Sequence, residues 1–212
     1  MNPVLSLLET RVLGVLVEKQ HTVPDSYPLT LNSLVSGSNQ KNSRDPVMEA
    51  AETEVQAAID RLKTLSLVVE SSGGRVMRYA QNVGKVLAIP PQSVALLATL
   101  FLRGAQTAGE LRINSDRLHK FGDILAVEGF LNEMAERAGG ALVRELARQP
   151  GARETRWAHL LSGEPVIPAA PATNAPVGEA SVSGSELAAM KARIDALEAT
   201  VERLCRELGI VP

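Results

Sequence analysis

The feature that most limits the fold is a hairpin signal at residues 67–81, which read LVVESSGGRVMRYAQ. Two runs of β-prone residues flank Gly73 and Gly74, and glycine readily adopts the positive φ angles of tight hairpin turns. Three helical patterns precede this hairpin in the chain. The order of three helices followed by a hairpin is typical of a winged helix-turn-helix domain.

The three helices are predicted from the spacing of apolar residues. In the first, at about residues 5–20, apolar residues recur at steps of three and four. Its polar side is predicted to carry Glu9, Arg11, Glu18 and Lys19. Residues 29–37 follow as a short second helix, and residues 52–68 contain the third. A short strand is predicted at residues 46–50, between the second and third helices.

The same succession of elements then repeats. Helical patterns at about residues 92–104, 107–113 and 124–137 are followed by a second hairpin with QPGA at its tip. The inward side of the last helix is predicted to be Ile124, Val127, Phe130, Leu131 and Met134. The fold class is therefore predicted as mainly α with small β-hairpins (α+β). Two tandem winged-helix domains are expected, at residues 1–85 and 86–162.

The C-terminal part of the chain has a different composition. Residues 163–184 are rich in Pro, Ala, Gly and Ser, which predicts a flexible linker. Residues 185–209 then carry apolar side chains in a heptad pattern, which favours a parallel dimeric coiled coil. The dimerisation candidates are Leu187, Met190, Ile194, Leu197, Val201, Leu204 and Leu208. The alternative is a single amphipathic helix that docks on its own domain.

Four segments resemble a known family. ETRVLGVLVEK, YPLTLNSL, NQKNSRDPVM and EVQAAIDRL together are similar to the YceH-like family of uncharacterised bacterial proteins. The resemblance extends over about residues 5–162 and implies two winged-helix domains. It implies no catalytic residue. Family members often carry a cysteine just before the Asn-Gln pair, whereas this chain has Ser38.

Composition argues against several classes of function. The single cysteine, Cys205, excludes an intrachain disulfide and fits a reducing cytoplasm. Neither a membrane span nor a phosphate-binding glycine loop is visible. His21, His119 and His159 lack partners at metal-ligand spacing. We therefore expect a cytoplasmic, non-enzymatic protein with no cofactor, no metal site and no membrane partner.

The charge balance bears on the choice between DNA and protein as partner. The chain has 22 Lys and Arg against 24 Asp and Glu, which is less basic than most DNA-binding modules. The fold nevertheless predicts a DNA-binding regulator that acts as a homodimer. The nucleic-acid-binding candidates are Gln40, Lys41, Arg44, Arg61, Lys63, Arg75 and Arg78. The alternative function is a protein–protein interaction scaffold, since tandem winged helices also serve as protein-binding modules.

The polar stretch at residues 39–48, NQKNSRDPVM, admits two interpretations. Lys41 and Arg44 lie at the predicted edge where winged helices meet their targets, so they could bind phosphates there. Alternatively, the Arg44 guanidinium is a structural clamp that holds the turn through backbone carbonyls or Asp45. The acidic start of the third helix, with Glu52 and Glu54, slightly favours the clamp.

Overall fold

The computed structural model describes residues 2–71, 76–149 and 151–165. These residues contain seven α-helices and two small antiparallel sheets, which confirms the predicted fold class of helices with small hairpins. No helix in the described ranges is both long and apolar enough to cross a membrane. Most of the predicted linker and the whole heptad segment, with its seven dimerisation candidates, lie outside the described residues.

The first helix, α1 (Leu7–Thr22), begins at a capping box. The Ser6 hydroxyl accepts a hydrogen bond from the Glu9 amide at 3.2 Å, and the Glu9 carboxylate accepts one from the Ser6 amide at 2.7 Å. The expected polar side of α1 is wrong at two positions, because Glu9 and Arg11 are both buried. Helices pack against α1 from several directions, so this helix is enclosed from Glu9 to Val17.

Two further helices and a three-stranded sheet complete the first half. The helices are α2 (Leu31–Ser38) and α3 (Glu52–Thr64). The strands are β1 (Leu29–Thr30), β2 (Val68–Ser71) and β3 (Arg78–Gln81), in the antiparallel order β1-β3-β2. The strand predicted at residues 46–50 is wrong, since those residues form no strand. The short strand instead precedes α2, where Leu29 pairs with Tyr79 of β3.

The second half follows a connecting helix, α4 (Val83–Leu87), which spans the predicted domain boundary between residues 85 and 86. Its helices are α5 (Pro91–Arg103), α6 (Ala108–Asn114) and α7 (Ile124–Glu136). Its strands, β4 (Val143–Leu146) and β5 (Arg156–His159), form an antiparallel hairpin.

The two halves repeat one local arrangement in detail. Thr30 caps α2 and Thr107 caps α6, each through a hydroxyl that accepts a backbone N–H three residues later. The residue before each threonine pairs with an aromatic residue of the last strand: Leu29 with Tyr79, and Gln106 with Trp157. This agreement of cap and pairing supports the repeat predicted from the order of elements.

Close packing of α1 on α5 joins the two halves. A Cβ atom at Gly14 would lie 2.8 Å from the Leu102 side chain and 3.2 Å from Cβ of Phe101, so only glycine permits this approach. At another contact, the Leu5 amide donates to the Leu161 carbonyl at 2.7 Å. The described residues share one hydrophobic core and form one compact unit.

Candidate binding surfaces

Arg44 is the most constrained of the candidate binding residues. Its guanidinium is fully buried and pairs with both carboxylate oxygens of Glu18, at 3.2 and 2.7 Å. The remaining N–H groups donate to the carbonyls of Gly37 and Ser43 and to the Gln40 side chain, at 2.8–3.1 Å. All five donors of the arginine are thus engaged within the protein, and none is left for a phosphate.

The segment that carries Arg44 is held at both ends and at its middle. The Asn39 side chain exchanges two hydrogen bonds with the backbone of Ala50, at 2.8 and 2.9 Å. Further along, the Asp45 amide donates to the Leu102 carbonyl at 2.8 Å, and Arg103 donates to the Ser43 hydroxyl at 2.7 Å. Because Leu102 and Arg103 belong to α5, residues 39–51 connect the two halves. This geometry favours the structural clamp interpretation of Arg44.

Arg11 is a second buried arginine that holds the same segment. Its guanidinium is buried and donates to the carbonyls of Ser38 and Pro46, at 3.2 and 2.7 Å. Burial lowers the pKa of Arg11, the neighbouring Arg44 lowers it further, and Asp45 opposes the shift. Within the described residues, Arg11 Nε and the Ser38 hydroxyl have no hydrogen-bond partner. Sequence reasoning placed Arg11 on an exposed face and therefore missed this buried support.

Glu18 balances the charge of Arg44 at the surface of this cluster. Burial by itself would raise the pKa of Glu18, but the hydrogen bonds and positive charge of Arg44, together with Lys19, hold it below its ordinary value. The carboxylate therefore stays ionised at lower pH than an unperturbed glutamate would. The ion pair with Arg44, which fixes the segment against α1, persists to that lower pH.

The other first-half candidates have intramolecular partners of their own. Arg61 donates to both carboxylate oxygens of Glu9 at 3.0 and 2.9 Å. Lys63 pairs with Glu70 of β2, and the hydrogen bond to this carboxylate raises the pKa of Lys63. Arg78 donates to two backbone carbonyls before α2. Arg75 lies outside the described residues, and the exposed Lys41 forms no ion pair within them.

The exposed face of α3 is acidic. Glu52, Glu54 and Asp60 are exposed on this helix, whereas its two basic residues, Arg61 and Lys63, are each paired with a carboxylate. The third helix of a helix-turn-helix unit is the one that enters the major groove of DNA. Carboxylates on that face would meet phosphates at a cost in free energy.

In the second half, the end of α6 and the first turn of α7 expose aliphatic side chains instead. Ile113, at the end of α6, is 73% exposed, and Leu125, in the first turn of α7, is 75% exposed. Ile124 is 45% exposed, which corrects the prediction that its side chain points inward. The remaining four predicted inward residues are buried or half-buried: Val127, Phe130, Leu131 and Met134. Ile124 is the first residue of α7, directly after the Asp123 cap, so its side chain, which leans toward the N-terminus, has no preceding helical turn to pack on.

Ile124, one of these exposed aliphatic residues, lines a pocket of about 340 Å³. Ala108 and Gly109 of α6, with Trp157 of β5, form its apolar lining. Arg148 and Arg153 of the second hairpin line it from one side, and Glu128 of α7 lines it too. Ile113, Ile124, Leu125, Arg148 and Arg153 together make up what we call the α7–hairpin surface.

Comparison with known proteins assigns a family. The family model described as "Protein of unknown function, DUF480" matches residues 5–152. The chain belongs to the DUF480 family. Relatives bearing the name UPF0502 protein agree: one from Dechloromonas aromatica is 55% identical over 202 residues, covering 95% of this chain and 93% of the relative. The resemblance to YceH-like proteins is consistent with this family.

Two other DUF480 relatives are similar over comparable lengths. A UPF0502 protein from Burkholderia orbicola is 54% identical over 213 residues, covering 97% of this chain and 90% of the relative. One from Methylibium petroleiphilum is 56% identical over 199 residues, covering 93% of this chain and 84% of the relative. These alignments extend beyond residue 152, where the DUF480 match ends.

Proposed function

We propose that this protein is a non-enzymatic tandem winged-helix module that binds another protein. The order of elements supports the winged-helix assignment, because each half has three helices followed by a hairpin. The pairing of Leu29 with Tyr79 and of Gln106 with Trp157 gives each half a further backbone link from the residue before its second helix to its last strand. Both observations fit two copies of one domain type.

The side chains exposed on the third helix of each half, α3 and α7, support a protein partner rather than DNA. The exposed face of α3 presents Glu52, Glu54 and Asp60, and the first turn of α7 presents Ile124 and Leu125. DNA-binding helices gain affinity from Lys and Arg, which release counterions from phosphates. Aliphatic side chains and carboxylates gain nothing from phosphates, but both are well suited to a protein surface.

DNA-linked regulation remains the second candidate, and one observation favours it. Arg148 and Arg153 are exposed in the second hairpin and form no ion pair within the described part of the chain. A hairpin of this kind often touches the DNA backbone in winged-helix proteins. The carboxylates of Glu128 and Glu154 lie in the same pocket, so they would offset part of that attraction.

Fluorescence anisotropy against mixed genomic DNA fragments separates the two candidates. A protein-binding module is expected to show no DNA binding at about 50 mM salt. A DNA-binding regulator would bind at that salt concentration and lose affinity steeply as salt rises, because counterions are released. Binding that behaves in this way and disappears in Arg148→Glu/Arg153→Glu would overturn the choice of a protein partner.

A photo-crosslinking amino acid tests the protein-binding function directly. Placed at Leu125 on α7 or Ala57 on α3, both exposed, it should give a reproducible protein adduct in bacterial cells. The control position is Ala138, exposed beyond the other end of α7. If both test positions give the same adducts as the control, the proposal is contradicted.

A further inference from the structure

We propose that the α7–hairpin surface binds a protein segment in which a bulky aliphatic side chain lies next to Asp or Glu. This inference rests on the proposed protein-binding function and names the site and the chemistry of the partner. The surface combines three features in one place: exposed aliphatic side chains, a pocket beside them, and two arginines at the edge of that pocket.

The aliphatic side chains supply the first part of the argument. Ile113 and Leu125 are each about three-quarters exposed, and Ile124, which precedes Leu125 in α7, is 45% exposed. The Ile124 side chain lies over Gly109 of α6, where an added Cβ atom would be 4.0 Å away. Ile113 follows Gly109 by one helical turn and so lies on the same face of α6. Such a cluster costs free energy in water, which a partner recovers by covering it.

The pocket beside this cluster can receive a side chain from the partner. Its volume of about 340 Å³ exceeds what one aliphatic side chain fills, so entry needs no rearrangement of the backbone. Ala108, Gly109 and Trp157 line it with small or apolar groups. Trp157 is buried and pairs with Gln106 through backbone hydrogen bonds of 2.7 and 3.0 Å, which hold this wall in position.

The two arginines determine which charge the partner must carry and how the partner is oriented on the surface. Arg148, Arg153 and Glu154 line the pocket from the hairpin, which leaves that side with a net positive charge, while Glu128 lines it from α7. An acidic side chain of the partner is therefore attracted to the hairpin and repelled from α7. The aliphatic side chain then lies toward α6 and α7, and the acidic one toward the hairpin. Arg148 and Arg153 belong to opposite sides of the hairpin tip, so both can reach one carboxylate-bearing segment.

Nucleic acid fits this surface less well than such a segment does. A nucleic-acid backbone is negative along its whole length, so part of it would lie near Glu128 as well as near Arg148 and Arg153, whereas a peptide segment with one carboxylate can avoid Glu128. Leu125 and Ile113 would be covered by a strongly hydrated backbone, so their apolar area would gain little from the contact. A peptide segment satisfies both the aliphatic and the cationic groups.

The test uses short random peptides displayed on phage and selected on the full-length protein. We expect the selected peptides to carry an aliphatic residue beside Asp or Glu. In anisotropy measurements with the synthetic peptides, Leu125→Asp and Arg148→Glu/Arg153→Glu should each weaken binding about tenfold or more. A peptide whose acidic residue is replaced by Lys should regain affinity for the Arg148→Glu/Arg153→Glu variant.

Two variants elsewhere on the surface serve as matched controls. Val86→Asp introduces the same carboxylate at another exposed aliphatic residue, and Lys85→Glu reverses another exposed charge. Both lie on the connecting helix α4, and neither should change peptide affinity. Thermal unfolding of every variant separates loss of binding from loss of the fold.

Several results would overturn the inference, and only some of them would also overturn the proposed protein-binding function. Peptides that bind Leu125→Asp as well as the unchanged protein place the site elsewhere, and loss of their binding in Glu52→Lys/Glu54→Lys would locate it on α3. In that case the protein-binding function is retained, and the assignment of the site to the α7–hairpin surface is wrong. Selection of basic peptides, or self-association lost in Leu125→Asp, overturns the stated partner chemistry. Absence of any selected peptide, together with DNA binding that needs Arg148 and Arg153, overturns both proposals.

Discussion

At the scale of single residues, the pair of Arg44 and Glu18 shows how a buried charge is held. The guanidinium is withdrawn from water, and five hydrogen bonds within the protein replace those it made to solvent. A buried charge is tolerated only when its donors are satisfied in this way. The cost of removing the partner is therefore larger than the net contribution of the pair.

Replacing Arg44 by Ala should lower the free energy of unfolding by about 3 kcal/mol, because Glu18 loses its main partner. Arg44→Lys should also destabilise the fold, since an ammonium cannot reproduce the bidentate contact. The control is Lys41→Ala in the same segment, where the expected change is within about 0.5 kcal/mol. Urea denaturation measures all three. Equal stability of the Arg44→Ala and Lys41→Ala variants would contradict the clamp.

His159 provides a test with acid. Burial lowers the pKa of its imidazole to about 4, from about 6.5 in an unfolded chain. The folded state thus binds this proton less readily than the unfolded state. Its contribution of about 3 kcal/mol is complete above pH 6.5 or so and is lost as the pH falls toward 4.

The expected observation is a difference between two pH profiles. Denaturation at several pH values between 7 and 4 should show a smaller loss of stability in His159→Gln than in the unchanged protein. The exposed His21→Gln variant should keep the full dependence. Direct titration by NMR checks the cause, and an imidazole that titrates near pH 6.5 in the folded protein would refute it.

The residue scale was also where the sequence predicted least about the candidate site. Residues 39–48 are visibly polar, but whether Arg44 faces solvent depends on Glu18, twenty-six positions earlier. The burial of Arg11 is equally hard to predict, because its hydrogen-bond partners are the carbonyls of the distant Ser38 and Pro46. No local pattern encodes such distant contacts.

At the scale of elements, the packing of α1 on α5 depends on the absence of a side chain. Gly14 lies in the middle of a helix, where glycine is otherwise unfavourable by about 0.5–1 kcal/mol relative to alanine. The contact with Leu102 and Phe101 explains its presence, since an added methyl group would overlap atoms close to their backbones. Helix propensity and interhelical packing therefore act in opposite directions at this position.

Gly14→Ala should destabilise the protein by about 1–3 kcal/mol through overpacking. Gly129→Ala in α7 is the matched control, because its added Cβ would have no atom within 4 Å apart from its chain neighbours and the backbone of its own helix. That substitution should stabilise the protein by about 0.5–1 kcal/mol. The opposite signs are read from thermal or urea unfolding. A stabilising Gly14→Ala would mean that the helices are less closely packed than described.

The elements differ in how far the sequence predicted them. Hydrophobic periodicity was sufficient for α3, α5 and α7, and turn residues between β-prone runs were sufficient for both hairpins. It could not predict β1, since two residues carry no periodicity and their pairing with β3 is a long-range contact. The polar side of α1 was misjudged for a related reason: charges at Glu9 and Arg11 indicate exposure unless partners elsewhere in the chain enclose them.

At the scale of the whole molecule, the C-terminal heptad pattern bears on how many chains assemble in solution. The heptad at residues 187–208 predicts a parallel dimer, with Ile194 and Val201 at a positions and Leu197 and Leu204 at d positions. In sedimentation, the full chain should have twice the mass of a monomer, and a chain that ends at Gly163 should be monomeric. If the shortened chain sediments as a dimer too, the heptad is not the dimerisation element.

The shared core of the two halves also affects how a partner can be recognised. Because α1 packs on α5 without room for a methyl group at Gly14, the faces of α3 and α7 cannot change their separation independently of the core. A partner that touches both must present its two contact points at one spacing. Recognition would then depend on the distance between the partner's two contact points. A partner with the right side chains at the wrong separation would be rejected, and an insertion between its contact points would abolish binding.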